Sequence, residues 1–89
     1  MLFEWDDAKH ERNRRERGFG FDHAIRIFAG PVLERADTRR AYGEARVRAL
    51  GETGGDVLVV VYTDRGEARR IISARRASRK ERELWQSRA

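Results

Sequence analysis

The alternation of apolar and polar residues is clearest in the second half of the chain, where it predicts strands joined by tight turns. Residues 42–50 place alanine and valine on one side and glutamate and arginine on the other, which is typical of an antiparallel strand with one solvated face. Residues 57–63 are apolar on both faces and rich in valine, which indicates a central strand. A Thr-Gly-Gly-Asp turn at 53–56 precedes that strand, and a turn at 64–67 leads to a returning strand over 68–74. We therefore expect antiparallel hairpins throughout this half.

The first half of the chain predicts short strands and two helices. Residues 3–5 alternate and indicate a first strand, and residues 32–36 indicate another. A helix is expected over 7–17, between an aspartate N-cap and a glycine stop. A shorter helix is predicted from an Asp22 cap to the single proline of the chain.

The helix predicted over 7–17 lacks an ordinary core-facing stripe. Its one apolar side chain is Ala8, and the remaining residues are charged or polar. Either Trp5 and the aliphatic parts of the arginine side chains pack over another part of the protein, or one face of this helix is available to bind a partner. We therefore expect the purified chain to behave poorly on its own.

The final helix has a complete start signal. Ser78 is a capping residue and Glu81 follows three positions later, as a capping box requires. Leu84 and Trp85 are expected to anchor this helix to the sheet. The order of elements predicts an α+β fold over residues 1–89: a small single domain with a curved antiparallel sheet and helices on one side.

Composition excludes several classes of protein. The chain has 89 residues and no cysteine, so a disulfide framework, a thiolate metal site and a thiol nucleophile are excluded. The longest apolar run, residues 57–62, is far shorter than the roughly 20 residues that span a bilayer. The first residues lack the basic and then apolar pattern of a signal peptide. We expect a cytoplasmic protein.

Positive charge is concentrated in the last part of the chain. The net charge is +5, and 18 of the 20 basic residues are arginine, whose planar fork suits phosphate. A GC-rich coding sequence would enrich arginine in the same way. Residues 1–64 hold 11 basic and 12 acidic side chains, whereas residues 65–89 hold 9 basic and 3 acidic. The second segment also carries apolar residues that need burial, so its charge lies on folded structure and indicates a polyanionic partner.

Segments spread over nearly the whole chain resemble the BrnT toxin family. They are residues 57–66, residues 70–78 with Glu81 and Arg82, the opening residues 3–6, the spacing of Gly18, Phe21, Ala24 and Phe28, and Arg46 with Gly51. The resemblance implies a type II toxin with a RelE-like fold that cleaves RNA in the cytoplasm and arrests translation. It implies no cofactor.

The same resemblance implies a partner. This would be a BrnA-like ribbon-helix-helix antitoxin that dimerises and carries one toxin on each subunit, giving a heterotetramer of two toxins and two antitoxins. Operator DNA would be bound only through the antitoxin, and no membrane is involved.

One departure from the family pattern concerns a histidine. Many members have Lys-His before the glycine at position 18, and this chain has Glu16-Arg17. The departure favours arginine-driven chemistry, and it motivates an alternative: a non-catalytic, degenerate toxin that acts as an antitoxin-binding or nucleic-acid-binding module. A direct DNA-binding regulator is a weaker alternative, since no helix-turn-helix or ribbon-helix-helix pattern is present.

Candidate site residues follow from the chemistry of RNA cleavage without a metal. The 2′-hydroxyl must lose a proton, the phosphorane charge must be stabilised, and the 5′-oxygen must be protonated. The predicted catalytic residues are Arg46, Arg65, Arg70 and Arg75 for phosphate contacts, with His23 and Tyr62 for proton transfer. The predicted RNA-binding residues are Arg48, Arg69, Arg76, Arg79 and Lys80. Tyr42 is a further candidate for base stacking or proton transfer.

The side-chain period of a strand divides the basic residues of 68–74 between two faces. Arg69, Ile71, Ser73 and Arg75 are expected on one face, with Arg70, Ile72 and Ala74 on the other. Several guanidinium groups would then converge on a concave floor. The competing interpretation is a solvated face that resists aggregation.

The remaining histidine and the tryptophans are interpreted structurally. His10 is expected to be a solvated surface residue, and both tryptophans are assigned to the core. A metal site at Asp6, Asp7 and His10 has too few ligands, so no metal is expected.

Overall fold

The computed structural model describes residues 1–88 and confirms an α+β fold. Along these residues, strands and helices follow one another in nearly the predicted order. They are β1 (Leu2–Trp5), α1 (Asp7–Arg17), α2 (Phe21–Ala24), a 3₁₀ segment (Ile25–Ala29), β2 (Leu33–Ala36), β3 (Val47–Thr53), β4 (Asp56–Arg65), β5 (Ala68–Arg76) and α3 (Arg79–Gln86). Every helix within 1–88 is too short or too polar to traverse a bilayer.

The strands form one mixed sheet in the order β1-β5-β4-β3-β2. Strands β2 to β5 pair antiparallel, as the hairpin pattern predicts. The prediction of a wholly antiparallel sheet is wrong at β1, which runs parallel to β5 with Leu2 opposite Ala68. β1 is joined to the rest of the sheet through α1 instead of a hairpin turn, so nothing constrains it to antiparallel pairing.

One face of the sheet, here called the α1–α2 face, carries the larger core. Apolar side chains of β3, β4 and β5 pack there against α2 and the 3₁₀ segment. The buried members are Phe19, Phe21, Ala24, Ile27, Ala49, Leu58, Val60, Tyr62, Ile71 and Ala74. Gly51 allows this packing, because a side chain at its position would meet Ile27 at 2.8 Å.

The opposite face, here called the α3 face, carries a smaller core. Leu50 and Val59 pack there with Ala77 and Trp85. The prediction that the helices lie on one side is therefore wrong, since α3 covers the face opposite to α1 and α2. A central strand that is apolar on both faces, as β4 is, calls for cover on both sides.

A β-bulge in β5 changes which side chains share a face. Tyr62 lies opposite Ile71, whereas its neighbour Val61 lies opposite Ser73, so Ile72 is an extra residue in β5. Ile71 and Ala74 are consequently both buried on the α1–α2 face.

The predicted division of the β5 side chains is therefore wrong beyond the bulge. Arg69 and Arg76 lie on the α1–α2 face, and Arg70, Ser73 and Arg75 lie on the α3 face. A single inserted residue moves every later side chain of the strand to the other face, because successive side chains of a strand alternate between the two faces.

Residues 37–46 form a loop, where the sequence predicts the start of a strand at residue 42. The loop is closed by a hydrogen bond from the Asp37 backbone N–H to the Arg46 carbonyl oxygen, 2.8 Å, and by one from the Thr63 hydroxyl to the Ala45 carbonyl oxygen, 2.7 Å. β2 ends at Ala36, and the pairing of β3 with β4 begins at Val47, so the alternating residues 42–46 lie outside the sheet.

Helix α1 has the predicted bounds and is held by polar contacts. Asn13 is buried, and its Nδ2 donates to the Phe19 carbonyl oxygen at 2.9 Å. Arg17 donates to the Ala74 carbonyl oxygen of β5 at 2.7 Å and to Asn13 Oδ1 at 3.3 Å. These bonds replace the apolar stripe that the sequence lacks.

His10 is part of the same attachment. Its Nδ1 accepts the backbone N–H of Phe21 at 3.0 Å, and its ring stacks on Trp5 at 5.7 Å between centroids. Its side chain is 18% exposed, so the prediction of a solvated histidine is wrong. The predicted Asp22 cap is also wrong, since Gly20 occupies the cap position and Asp22 lies in the first turn.

The start of α3 is confirmed and its predicted anchoring is confirmed in part. Ser78 and Glu81 form the capping box. Trp85 is buried and its indole N–H donates to Glu52 at 3.0 Å. Leu84 is 46% exposed, so it is not a buried anchor.

Candidate functional site

A cleft of about 380 Å³ lies where the 37–46 loop approaches the edge of β5 and the first turns of α1. It is lined by Lys9, Arg39, Arg40, Tyr42, Arg46, Val61, Ile72 and Ser73. Among these residues four are basic and none carries a carboxylate. We call it the basic cleft.

Each wall of the basic cleft comes from a different element. The 37–46 loop supplies Arg39 and Arg40, and α1 supplies Lys9 from the opposite side. The floor is Val61 with the bulge residues Ile72 and Ser73. The irregular parts of the sheet, the loop and the bulge, therefore build the cleft.

Tyr42 lies between two guanidinium groups of the cleft. The Arg46 Cζ is 3.9 Å from the centre of the Tyr42 ring, and the Arg40 Cζ is 5.7 Å from it. Such cation–π contacts orient the guanidinium planes and limit their rotation. The ring therefore fixes two of the four cations in place.

Arg46 retains hydrogen-bonding capacity. Its Nη2 lies 3.6 Å from a carboxylate oxygen of Glu44, and its Nε is buried without an acceptor among the described residues. A buried donor without a partner is rare in native structures and is costly. Arg46 is therefore a cation of the cleft that keeps a hydrogen-bond donor without a partner among the described residues.

Arg39 is held by a buried carboxylate below the loop. Its Nε and Nη2 donate to the two carboxylate oxygens of Asp37, at 2.7 and 2.8 Å. These bonds hold the pKa of Asp37 at about 2. The Arg39 side chain is 58% exposed, so Asp37 positions the guanidinium and leaves much of it accessible.

A second cleft continues from the first along α1. It measures about 240 Å³ and shares Lys9, Ile72 and Ser73 with the basic cleft. Arg12, Glu16 and Arg17 line its far end. The departure at Glu16-Arg17 thus lies beside the cleft, and Arg17 contributes there chiefly by tying α1 to β5.

The structure brings four of the predicted catalytic arginines to one face. Arg46, Arg65, Arg70 and Arg75 belong to the α3 face or its loop side, and only Arg46 lines the basic cleft. Each also lies close to a carboxylate.

The carboxylate partners of the other three come from separate segments. Arg65 is 3.4 Å from Glu44, and Arg70 is 3.6 Å from Glu4. Arg75 donates two hydrogen bonds to Glu81, at 2.7 and 2.9 Å. Each of the three therefore has a carboxylate within 3.6 Å, as Arg39 and Arg46 of the basic cleft also do.

Tyr62 and Arg69 lie on the α1–α2 face, away from Arg46. Tyr62 donates its hydroxyl hydrogen to Glu34, and burial together with this bond raises the pKa of Tyr62 above its ordinary value. The Arg69 guanidinium covers the Tyr62 ring at 3.9 Å and forms a two-bond ion pair with Asp64. This arrangement keeps the phenol protonated and encloses it.

His23 and Arg76 also lie on the α1–α2 face. His23 Nε2 is 4.0 Å from Asp56, and its ring meets Phe19 edge to face. Arg76 covers Phe19 from the other side and donates to the Arg17 carbonyl oxygen at 2.6 Å. Both residues therefore contact the segment that follows the C-terminal end of α1.

The other predicted RNA-binding residues lie around α3. Arg48 is on the α3 face in the strand next to β2. Arg79 and Lys80 are exposed in the first turn of α3, where Arg79 pairs with Glu83 at 3.3 Å.

Lys9, Arg39, Arg40 and Ser73 are cleft residues that the sequence prediction missed. The Arg39-Arg40 pair lies two residues from an aromatic, in a stretch interpreted in part as a strand. Adjacent arginines beside an aromatic in a segment without clear periodicity are a signal for a nucleic-acid-binding loop. Lys9 gives no local signal, since it is one charge among many on α1.

Fold and cleft together define a class: a small α+β domain with a cationic cleft suited to a phosphate-bearing ligand. The chain belongs to the BrnT family, whose description is "Ribonuclease toxin, BrnT, of type II toxin-antitoxin system" and whose model matches residues 5–81. The resemblance drawn from the sequence is thereby confirmed. Membership indicates a ribonuclease toxin, and with it an RNA substrate and an antitoxin partner. A search of curated proteins finds no match.

Proposed function

We propose that the chain is a metal-independent endoribonuclease that binds the RNA backbone in the basic cleft and arrests translation in the cytoplasm by cutting message. One observation carries the proposal: four cations line the cleft, and no carboxylate does. A phosphodiester is drawn to such a site, and the developing negative charge of the transition state is drawn to it more strongly.

The reaction has three parts. The 2′-oxygen attacks phosphorus as its proton leaves, and a pentavalent phosphorane forms. The bond from phosphorus to the 5′-oxygen then breaks, and that oxygen takes up a proton. The products are a 2′,3′-cyclic phosphate and a 5′-hydroxyl. Guanidinium groups are suited to the phosphorane because they donate paired hydrogen bonds to its oxygens.

Roles within the cleft follow from its geometry. Arg46 contacts the scissile phosphate, since it lines the cleft, is oriented by the Tyr42 ring and has a donor without a partner among the described residues. Arg39, Arg40 and Lys9 bind neighbouring phosphate oxygens. Tyr42, which lies between two guanidinium groups of the cleft, donates the proton that the 5′-oxygen takes up. The proton of the 2′-hydroxyl passes to solvent, from which the phenolate of Tyr42 is protonated again.

The earlier candidates take other places in this proposal. Arg65, Arg70 and Arg75 attach the 37–46 loop, β1 and α3 to the sheet through their carboxylate partners. His23 and Tyr62 lie on the opposite face of the sheet and take no part in proton transfer.

A cleavage assay tests the proposal. The purified chain is incubated with end-labelled RNA in excess EDTA, and the new ends are analysed. We expect cleavage that persists in EDTA and leaves 2′,3′-cyclic phosphates. Induction of the protein alone in a bacterium should stop growth and fragment message. Normal growth with intact message would contradict the toxin function, and loss of activity in EDTA would contradict metal independence.

A second candidate function is the non-catalytic binding module. It is favoured by the carboxylate partners of three predicted catalytic arginines, Arg65, Arg70 and Arg75. RNA that binds the purified chain and stays intact, with the antitoxin still recognised, would identify this function.

We further propose a BrnA-like ribbon-helix-helix antitoxin as the partner, in a heterotetramer of two toxins and two antitoxins. The support is the family's membership of type II systems. Co-expression with the neighbouring reading frame, followed by light scattering, tests it. The toxin alone should not bind the operator fragment, whereas the complex should.

A further inference from the structure

Two arginines face each other across the edge of the sheet. Arg35 of β2 lies directly opposite Arg48 of β3, and alternation places both side chains on the α3 face. Like charges in directly opposite positions destabilise a strand pair. Among residues 1–88 neither arginine lies within ion-pair distance of a carboxylate, although nearly all the strand arginines around them do.

An apolar groove runs beside this pair. It has a volume of about 340 Å³ and lies between α3 and the strands β2, β3 and β4. Leu33, Leu50 and Val59 form its floor, and Leu84 forms its α3 wall. Leu84 is 46% exposed, the most exposed large apolar residue beyond the first two of the chain.

Two arginines and two glutamates line the groove: Arg35, Arg48, Glu34 and Glu81. Both glutamates already have partners, since Glu34 accepts the hydroxyl hydrogen of Tyr62 on the α1–α2 face and Arg75 engages both carboxylate oxygens of Glu81. The two arginines are therefore the charged groups of the groove that lack a partner among residues 1–88. An occupant that brings a carboxylate would relieve the repulsion between the two arginines, and apolar side chains on the same occupant would cover the floor.

We propose that this groove binds an acidic amphipathic helix of a protein partner. The groove lies between a helix and strands of the sheet, and an apolar groove of this kind can bind the apolar face of an amphipathic helix. The phosphates of an RNA would pair with the two arginines but would make no apolar contacts with the floor of the groove. A protein segment that carries both carboxylates and apolar side chains therefore fits better.

The groove shares no lining residue with the basic cleft. It therefore offers a partner a position next to the site that does not occupy it. Identification of the partner as the antitoxin rests on the proposed function, whereas the chemistry of the occupant does not.

Two peptides of about 15 residues serve as probes. Both carry leucine at every third or fourth position; one is flanked by glutamate and the other by lysine at the same places. Binding of each fluorescent peptide to the full chain is followed by anisotropy. We expect the glutamate peptide to bind at least about tenfold more tightly, since removal of one favourable charge contact and addition of a repulsive one exceeds 1.4 kcal/mol.

Variants locate the site. The exposed Leu84→Ser change should weaken the glutamate peptide about tenfold and leave the circular dichroism spectrum unchanged. The Arg35→Glu and Arg48→Glu changes together should invert the preference between the peptides. Arg79→Glu, on the same helix but outside the groove, is the matched control and should leave the preference unchanged.

Equal binding of the two peptides, or absence of binding, would overturn the inference. The inference would also be overturned if a short RNA displaced the glutamate peptide and the Arg48→Glu change lowered the affinity for that RNA. Arg35 and Arg48 would then be an RNA-binding pair. RNA cleavage measured on the Leu84→Ser variant separates this inference from the proposed function. If the protein does not cleave RNA but still prefers the glutamate peptide, the proposed ribonuclease function is refuted and the inference about the groove is not.

Discussion

Arg46 is the residue whose position in the basic cleft has the most direct chemical consequence. Truncation of one preorganised donor to a developing oxyanion costs about 10²–10³ in kcat. We expect Arg46→Ala to lower kcat for RNA cleavage by that factor with a smaller change in KM. Arg46→Lys should recover part of the loss, because it restores the charge without the planar fork.

Arg79→Ala is the control for Arg46, since it removes an arginine from an exposed pair with Glu83. Its kcat should stay within about twofold of the parent. Equal losses in both variants would show that net charge, and not the placement of Arg46, governs the reaction.

The ion pair between Arg75 and Glu81 makes stability depend on pH. Two hydrogen bonds from Arg75 hold the pKa of Glu81 at about 2, below the value of about 4.3 for an unfolded glutamate. A depressed carboxyl pKa stabilises the folded state fully above pH 4.3, and the stabilisation is lost as the pH falls towards 2. Glu81→Gln should therefore lower the free energy of unfolding by about 1–3 kcal/mol at pH 7.

Urea denaturation across pH 2–7 measures this effect. The difference between the parent and Glu81→Gln should shrink as the pH approaches 2. Glu83→Gln, which alters an exposed pair on the same helix, should change stability by less than about 0.5 kcal/mol at every pH.

Helix α1 shows at the scale of an element how polar contacts can take the place of an apolar stripe. Asn13 is its one buried residue, and it joins the Phe19 carbonyl to Arg17. Asn13→Ala leaves that carbonyl without its donor, so we expect a loss of about 1–3 kcal/mol in the free energy of unfolding. The exposed Arg15→Ala change on the same helix is the control. An unchanged urea midpoint for Asn13→Ala would contradict the structural role.

Local signals predicted the elements, and long-range pairing decided the rest. The bounds of α1, the turns around β4 and the capping box of α3 depend on residues a few positions apart, so the sequence was sufficient for them. The direction of β1, the bulge at Ile72 and the face covered by α3 depend on partners far along the chain. Of the site, Arg46 and Tyr42 could be predicted, whereas Lys9 could not, because only the tertiary fold brings α1 to the edge of β5.

The charge of the whole molecule is distributed differently from the charge along the chain. Residues 65–89 hold the positive excess, but carboxylates from earlier segments pair with it: Glu4 with Arg70, Glu44 with Arg65. The cations of the basic cleft come instead from residues 9–46. The segment with the positive excess along the sequence therefore contributes no cation to the lining of the basic cleft.

RNA affinity should depend on salt in proportion to the cations of the cleft. Each neutralised phosphate of a single strand contributes a slope of about −0.7 to the logarithm of affinity against the logarithm of salt concentration. Four cations predict a slope of about −3, measured by anisotropy with a non-cleavable 2′-deoxy analogue. Arg40→Ala should reduce the magnitude of this slope by about 0.7, the contribution of one phosphate. A slope near zero for the parent protein would exclude the cleft as the binding site.

The parallel pairing of β1 with β5 has a consequence for the order in which the protein is made. Leu2 and its partner Ala68 are 66 positions apart, so the first strand to be synthesised can pair only after the last strand has been made. Lys9 and Ser73, which both line the basic cleft, are separated by a similar length of chain. A ribosome that stops before β5 therefore releases a fragment without a completed cleft. We therefore expect a chain that ends before residue 68 to bind no RNA in the cleft, because Ile72 and Ser73 are then absent.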